Sequence, residues 1–293
     1  MNLLQSLILG ALQGITEFLP ISSDGHLVLA EIFLKLKTEL LKSFDVTVHM
    51  GTFLAILIYF WKDVWQLLKT FFGLFIGKSK WANPYTKLIA YIVVGTIPAV
   101  IAGVFFGDWI DEKFRNLKAV ATLMIIMGTA YYAAEAFYSK YYSSTFKGVI
   151  EKAINKIKDF FKCEEGAAEI AGLNFRKAII IGIAQSLALL PGVSRSGSTI
   201  AAGLFQGIER SQAARFSFLL GLPAILGAGI FTFIKNSDTL THDISAFSLI
   251  IGFITSFIFG LFSIAILMKL LKKYSLNGFA VYLVVIGGAI LLN

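Results

Sequence analysis

The sequence predicts an all-α polytopic membrane protein made of two inverted-topology repeats, each a re-entrant helical hairpin followed by three transmembrane helices. Composition, the lengths of the apolar runs and an internal repeat point there. Of 293 residues, 57% are hydrophobic and 15% charged, with a mean hydropathy of +0.76, whereas an average soluble domain carries roughly 25% charge. Apolar runs at 53–61, 88–107, 119–134, 216–234, 247–268 and 278–292 approach the ~20 residues that cross the hydrocarbon layer. None alternates with period two, so helices rather than a barrel must satisfy the backbone.

Sliding the chain against itself until Gly10 falls on Gly182 also places Gln13 on Gln185, Ser22 on Ser194 and Gly25 on Gly197. ILGALQGITEFLPISSDGHLVL then lies over IIGIAQSLALLPGVSRSGSTIA, with Pro20 and Pro191 one place out of step. Each copy opens with about fifteen apolar residues, then Pro, Ser and Gly, then a second short apolar stretch. That is too little for two crossings, so each reads as a re-entrant hairpin.

Topology follows from the lysines. Lys62, Lys69, Lys78, Lys80 and Lys87 flank one loop, the stretch 140–177 is basic, and Lys269, Lys272 and Lys273 mark a third cluster. Positive-inside bias puts all three in the cytoplasm, with the connections 108–115 and 236–243 outside. The first hairpin then enters from outside and the second from inside. The expected organisation is one membrane domain over 1–293. Repeat one covers 1–136 with its hairpin at 1–36, and repeat two covers 176–293 with its hairpin at 177–206. Between them, 137–175 reads as a cytoplasmic amphipathic insertion, with Lys152, Lys156 and Asp159 at helical spacing. Residues 64–77 read as an interfacial helix anchored by Trp65 and Lys69. No basic start or small-residue cleavage site precedes the first apolar run, so Met1 onward is expected in the mature protein. The net charge of +8 is accounted for by these loops, and no nucleic-acid partner is expected. One cysteine, Cys163, excludes an internal disulfide and a thiolate metal cluster.

Polar residues concentrate at the two hairpin tips. Gln13, Glu17, Ser22, Ser23, Asp24 and His26 crowd the first, and ionisable groups at that depth are costly enough to be functional by default. Gln13 and Glu17 are four apart, hence on one helix face, and Pro20 ends that helix. The bland alternatives are a carboxylate pairing two helices and a core histidine. The second tip runs from Pro191 to Thr199 with Ser194, Arg195, Ser196 and Ser198, and its helix is expected to start near Ser198. A guanidinium, hydroxyls and helix-start N–H groups together suit a phosphate. Arg195 alone could instead be snorkelling to lipid headgroups.

With both tips in view, the chain resembles the bacitracin-resistance type of undecaprenyl-diphosphate phosphatase, an integral membrane family. The first motif, Glu or Gln followed four positions on by Glu, is matched by Gln13 and Glu17 and continues as FLPISSDGH; the second, PGxSRSGxT, is matched from Pro191 to Thr199. FSFLL at 216–220 extends the similarity over essentially the whole chain. The resemblance implies hydrolysis of undecaprenyl diphosphate to the monophosphate and inorganic phosphate, recycling the lipid carrier of cell-wall synthesis, at the outer face of the cell membrane. It also implies a divalent cation, Mg²⁺ or Ca²⁺. Carried over by position, Glu17, Ser23, His26 and Arg195 are the principal groups. Ser22, Ser194, Ser196 and Thr199 join Arg195 on the diphosphate, and Glu17, Gln13 and Asp24 are the metal candidates. Two positions depart from the pattern: Gln13 is the uncharged variant, which leaves ligation more dependent on Glu17, and Asp24 stands where a small neutral residue is commoner. The nucleophile is open between Ser23, His26 and water. A transporter or lipid flippase on the same repeat is the rival reading. A second, the acid phosphatase-like lipid phosphatases, needs a later catalytic His, and only His242 is available. A homodimer is compatible with the sequence, which specifies no interface.

Overall fold

The computed structural model describes residues 1–36, 41–144, 170, 172–235 and 244–292. Within them are eleven helices: α1 (Leu3–Phe18), α2 (Ser23–Phe33), α3 (Lys42–Tyr59), α4 (Trp61–Phe75), α5 (Pro84–Phe114), α6 (Leu117–Ser144), α7 (Phe175–Leu187), α8 (Arg195–Phe205), α9 (Arg210–Lys235), α10 (Ala246–Lys273) and α11 (Asn277–Leu292). No strand occurs among the described residues. Most of the expected insertion at 137–175, with Lys152, Lys156 and Asp159, and the connection 236–243 lie outside them.

Length sorts the helices. Four are long and apolar enough to cross a membrane: 84–110, 117–142, 210–232 and 246–273. α3 and α4 form a bent pair, 86° apart, that only together is long and apolar enough for a crossing; α4 overlaps the segment 64–77. α4 exposes Trp61, Trp65, Phe72 and Phe75 while burying Asp63, Val64 and Thr70. By contrast, α2 and α8 have 11 residues each, about 17 Å at 1.5 Å per residue, roughly half of a ~30 Å hydrocarbon layer. These short helices start inside the bundle, at Ser22 and Ser194, which are both buried. The connection expected at 108–115 is mostly helical instead: α5 continues to Phe114 and only Arg115 and Asn116 break the run. A helix leaving the hydrocarbon keeps its backbone bonded, so charged side chains need not end it.

The surface is inverted relative to a soluble bundle. α5 exposes Val93, Ile97, Ile101 and Phe105, and α10 exposes Phe247, Ile250, Ile254, Ile258 and Phe262. These rows at helical spacing face the place of lipid tails. Inside, small residues let backbones approach. A Cβ on Gly10 would meet the Gly252 carbonyl of α10 at 2.8 Å, and one on Gly182 would overlap the Gly95 backbone of α5. The two glycines superposed by the sequence repeat thus hold equivalent crossings, α1 on α10 and α7 on α5.

Directions follow from such contacts. Gly10 lies against Gly252 and Gly14 against Gly260, so α1 runs parallel to α10; Gly182 lies against Gly95 and Leu189 near Gly103, so α7 runs parallel to α5. α3 runs with α10, since Val48 lies on Gly252 and Gly51 on Ser256. Asp63 with Arg215, and Met50 with Gly229, set α9 against α3, and Tyr85 near Arg215 with Leu220 on Gly95 sets α5 along α9. Hence α1 and α7 point in opposite directions and their tips meet. Two buried ion pairs hold α9 near its start: Arg210 binds Glu135 of α6, and Arg215 binds Asp63 of α4.

Candidate active site

The site begins where α1 stops. Leu19, the residue before Pro20, is extended (φ −62°, ψ 138°), as the proline ring requires of its predecessor. The chain turns back through Ser22, a non-glycine residue at φ 71°, a left-handed conformation that costs on the order of 1–3 kcal/mol and collects at functional sites. Ser22 caps α2, its Oγ accepting from Gly25 N at 3.3 Å. The second tip repeats the device: Gly192 supplies the positive φ (103°), and Ser194 caps α8, accepting from Gly197 N at 3.1 Å. α8 therefore starts at Arg195, three residues before the expected Ser198, because the cap lies at Ser194. Two helix N-termini, each partially positive, thus border one space.

Glu17 is the hub. Its Oε2 accepts from Gln13 Nε2 (3.1 Å) and from Ser23 Oγ (2.7 Å), while Oε1 accepts from Arg195 Nη2 (2.5 Å). This pair joins the two hairpins across 178 residues of sequence. Ser196 Oγ adds a long contact to the Leu19 carbonyl (3.4 Å). The other guanidinium nitrogen, Arg195 Nη1, is buried with no acceptor among the described residues. It fits against Gly221 of α9, where a Cβ would overlap it.

A cavity of about 670 Å³ opens over this centre. Glu17, Ser22, Ser23, Asp24, Ser194 and Arg195 line one part of it; α5 (Ala99 to Gly107) and α9 (Pro223 to Thr232) supply a largely apolar remainder. Val100, Val104 and Phe231 of that wall are each more than half exposed.

The expected residues divide between lining and support. Ser196 and Thr199 are buried off the cavity wall: Thr199 Oγ1 is bonded to the Arg195 carbonyl (2.7 Å) and paired with Ser217 Oγ of α9 (2.6 Å). His26 is also off the wall. Its Nδ1 is 2.8 Å from the Ser22 carbonyl, an acceptor only, so Nδ1 carries the hydrogen and Nε2 accepts from the Tyr282 hydroxyl at 2.7 Å. The rings stack at 5.7 Å, which engages both nitrogens between the first tip and α11. The sequence reading did not include His49 of α3. Its Nδ1 donates to the Asp45 carbonyl (2.7 Å), and its Nε2 stands in the cavity 3.8 Å from Glu17 Oε2 and 3.7 Å from Asp24 Oδ1. An Asp and a His four apart in an apolar run were a signal by the same rule that singled out Glu17. Tyr282 and Gly221 carried none.

Among the described residues no three His, Cys, Asp or Glu side chains form a cluster able to cage a metal. Gln13 Oε1 is nevertheless buried beside Glu17 without a hydrogen-bond partner, and Asp24 is half exposed at the cavity edge. Hard cations in phosphoryl-transfer sites commonly bind through one or two carboxylates, with substrate phosphates and water completing the shell. Here Asp24 and Glu17 are the carboxylates on the cavity, with both Glu17 oxygens already bonded to Gln13, Ser23 and Arg195.

A bundle of lipid-facing helices with two half-length hairpins meeting at a buried guanidinium, hydroxyls and a carboxylate defines an integral membrane protein with a buried polar site. The chain belongs to the family of the bacitracin resistance protein BacA, whose profile matches residues 6–289. It is similar to proteins named undecaprenyl-diphosphatase. That of Methanosphaera stadtmanae is 42% identical over 98% of this chain and 96% of its own. That of Geotalea daltonii is 39% identical (98% and 96%), and that of Corynebacterium efficiens 38% (100% and 90%).

Proposed function

We propose that the protein hydrolyses undecaprenyl diphosphate to undecaprenyl phosphate and inorganic phosphate, recycling a lipid carrier of cell-wall synthesis and so opposing bacitracin. The names of its relatives support the substrate. One observation carries the chemistry: Arg195 lines the cavity where Ser23, held by Glu17, also opens, and its Nη1 has no acceptor among the described residues. Such a donor, beside Ser194 and a helix N-terminus, matches the charge on a terminal phosphate, and phosphoryl transfer needs chiefly positioning and neutralisation. Ser23 Oγ attacks the terminal phosphorus and Glu17 takes its proton; the bond to the bridging oxygen breaks and leaves undecaprenyl phosphate. Water then attacks the phosphoseryl group, breaking its Ser–O–P bond at phosphorus; Glu17 returns its proton to the departing Ser23 oxygen, and inorganic phosphate, carrying the protons of the water, is released. Arg195 and Ser194 hold the transferred group, with Ser22 at the opposite helix start. His26, bonded to the Ser22 carbonyl and Tyr282, acts by positioning the first tip. Gln13, Glu17 and Asp24 would hold Mg²⁺ or Ca²⁺, which supplies further neutralisation of the diphosphate.

The halves 1–136 and 176–293 are inverted-topology repeats, a reading supported by the opposed α1 and α7 and by the lysines near α4 and the end of α10. The cavity, bordered by the N-terminus of α3 and the C-termini of α5 and α9, faces the outer side of the cell membrane. The prenyl chain lies along the apolar wall of α5 and α9 and leaves toward the bilayer past Val100 and Val104.

The test is phosphate release from undecaprenyl diphosphate by purified protein, with and without EDTA. Release that EDTA stops is expected. No release with Mg²⁺ or Ca²⁺ supplied, together with movement of the lipid across vesicles, would favour a transporter instead.

A further inference from the structure

We infer that Gln185 is a binding residue for the inner phosphate of the substrate, the one that stays on the lipid; this rests on the function proposed above. Gln185 lies on α7 and is 3% exposed, yet it lines the cavity. Neither Oε1 nor Nε2 has a hydrogen-bond partner among the described residues. Buried side-chain polar atoms are paired in the large majority of cases, and an amide unpaired at both ends calls for a ligand or an ordered water.

The repeat explains how the amide came to be unpaired. Gln13 occupies the equivalent position in α1 and donates to Glu17, four residues on. In the second copy the residue four on is Leu189, so Gln185 has no acceptor on its own helix. An apolar residue would pack this wall without stranding a polar group.

Position selects the inner phosphate. Gly182 lies against Gly95, and Leu189 lies near Gly103, which sets Gln185 level with Ala99 in the wall of α5. Ala99, Ala188 and Leu189 around it are apolar. The terminal phosphate must lie at Ser23 and Arg195 for transfer, and the prenyl chain along α5 and α9. The inner phosphate joins the two, and Gln185 is a polar side chain beside the apolar wall, among Ala99, Ala188 and Leu189. Both ends of the amide are buried, and a rotation of the side chain brings Nε2 to a non-bridging oxygen of that phosphate.

The substrate and the lipid product both carry the inner phosphate, and inorganic phosphate does not. Gln185→Met keeps the length and removes the amide. It should weaken a methylene-bridged undecaprenyl diphosphate analogue and undecaprenyl phosphate alike by about tenfold, as expected for a lost hydrogen bond to a charged group. KM should rise about as much, with kcat within about threefold. Inhibition by inorganic phosphate should be unchanged, and the thermal midpoint without ligand should not fall. Gln185→Glu, which keeps the shape and adds a charge, should bind both lipids more weakly still. A Met variant that binds both lipids as the wild type does would overturn the inference, and so would an equal loss of inorganic phosphate inhibition, which would place the amide on the terminal phosphate. Wild-type protein that fails to bind the analogue would count against the proposed function instead.

Discussion

Arg195 commits one nitrogen to Glu17 and keeps Nη1 buried without an acceptor, a fork with one prong in use. Lysine supplies a single charged point and cannot hold Glu17 and a phosphate in one plane. Arg195→Lys should therefore lower kcat/KM nearly as far as Arg195→Ala, each by about 100-fold or more, since hydrogen bonds to charged groups are worth about 1.5–3 kcal/mol apiece. A lysine variant that retains most of the activity would reduce Arg195 to general electrostatics. His26 makes a different prediction, because both its nitrogens are engaged by Ser22 and Tyr282. Tyr282→Phe should lower activity about tenfold, and in a double-mutant cycle its effect should largely vanish once His26 is Gln, as for residues acting through one contact. Added Mg²⁺ or Ca²⁺ should restore neither variant. Full additivity of the two losses would return His26 to an independent chemical role.

Among the elements, the short helices matter more than the long ones. α2 and α8 begin at the buried tips, at the caps Ser22 and Ser194, and α1 and α7 reach those tips because glycines let them lie against α10 and α5. Gly182→Val would drive its side chain into the Gly95 backbone, which cannot swing aside as a side-chain end can. The expected cost is at the upper end of the ~1–3 kcal/mol typical of overpacking, read as a fall in thermal midpoint in detergent. Gly288→Val on α11, where a Cβ meets nothing within 4 Å, is the control and should leave the midpoint within about a degree or two, as surface changes usually do. Equal effects at both sites would show that the α5–α7 crossing tolerates separation.

At the scale of the whole molecule, the opposed hairpins require the two ends of the bundle to face opposite sides of the membrane. Glu112 and Lys80 are both exposed, near the end of α5 and ahead of its start. With Cys163 replaced by Ser, Glu112→Cys should react with an impermeant thiol reagent applied from outside intact cells, and Lys80→Cys should react only after permeabilisation. Labelling of both from outside would sink the inverted arrangement. The bulk architecture was legible beforehand because hydropathy, lysine placement and Pro-Gly-Ser punctuation are local properties of the chain. The early start of α8 and the continuation of α5 to Phe114 were not, since a cap or a last helical turn depends on contacts that composition does not report.

Sequence alone determined that this chain lives in a membrane, that it breaks at two related tips, and that Glu17, Ser23 and Arg195 belong to them, because apolar length, four-residue spacing and motif order are written in one dimension. Tertiary structure alone decided which way the other side chains face. His26 turns to Tyr282 of α11, His49 comes into the cavity from α3, Thr199 turns to Ser217 of α9, and Gln185 is left in an apolar wall without a partner. On a short helix every residue is near some neighbour, and whether that neighbour is a cavity or another helix depends on packing partners far away in the chain, which periodicity does not encode.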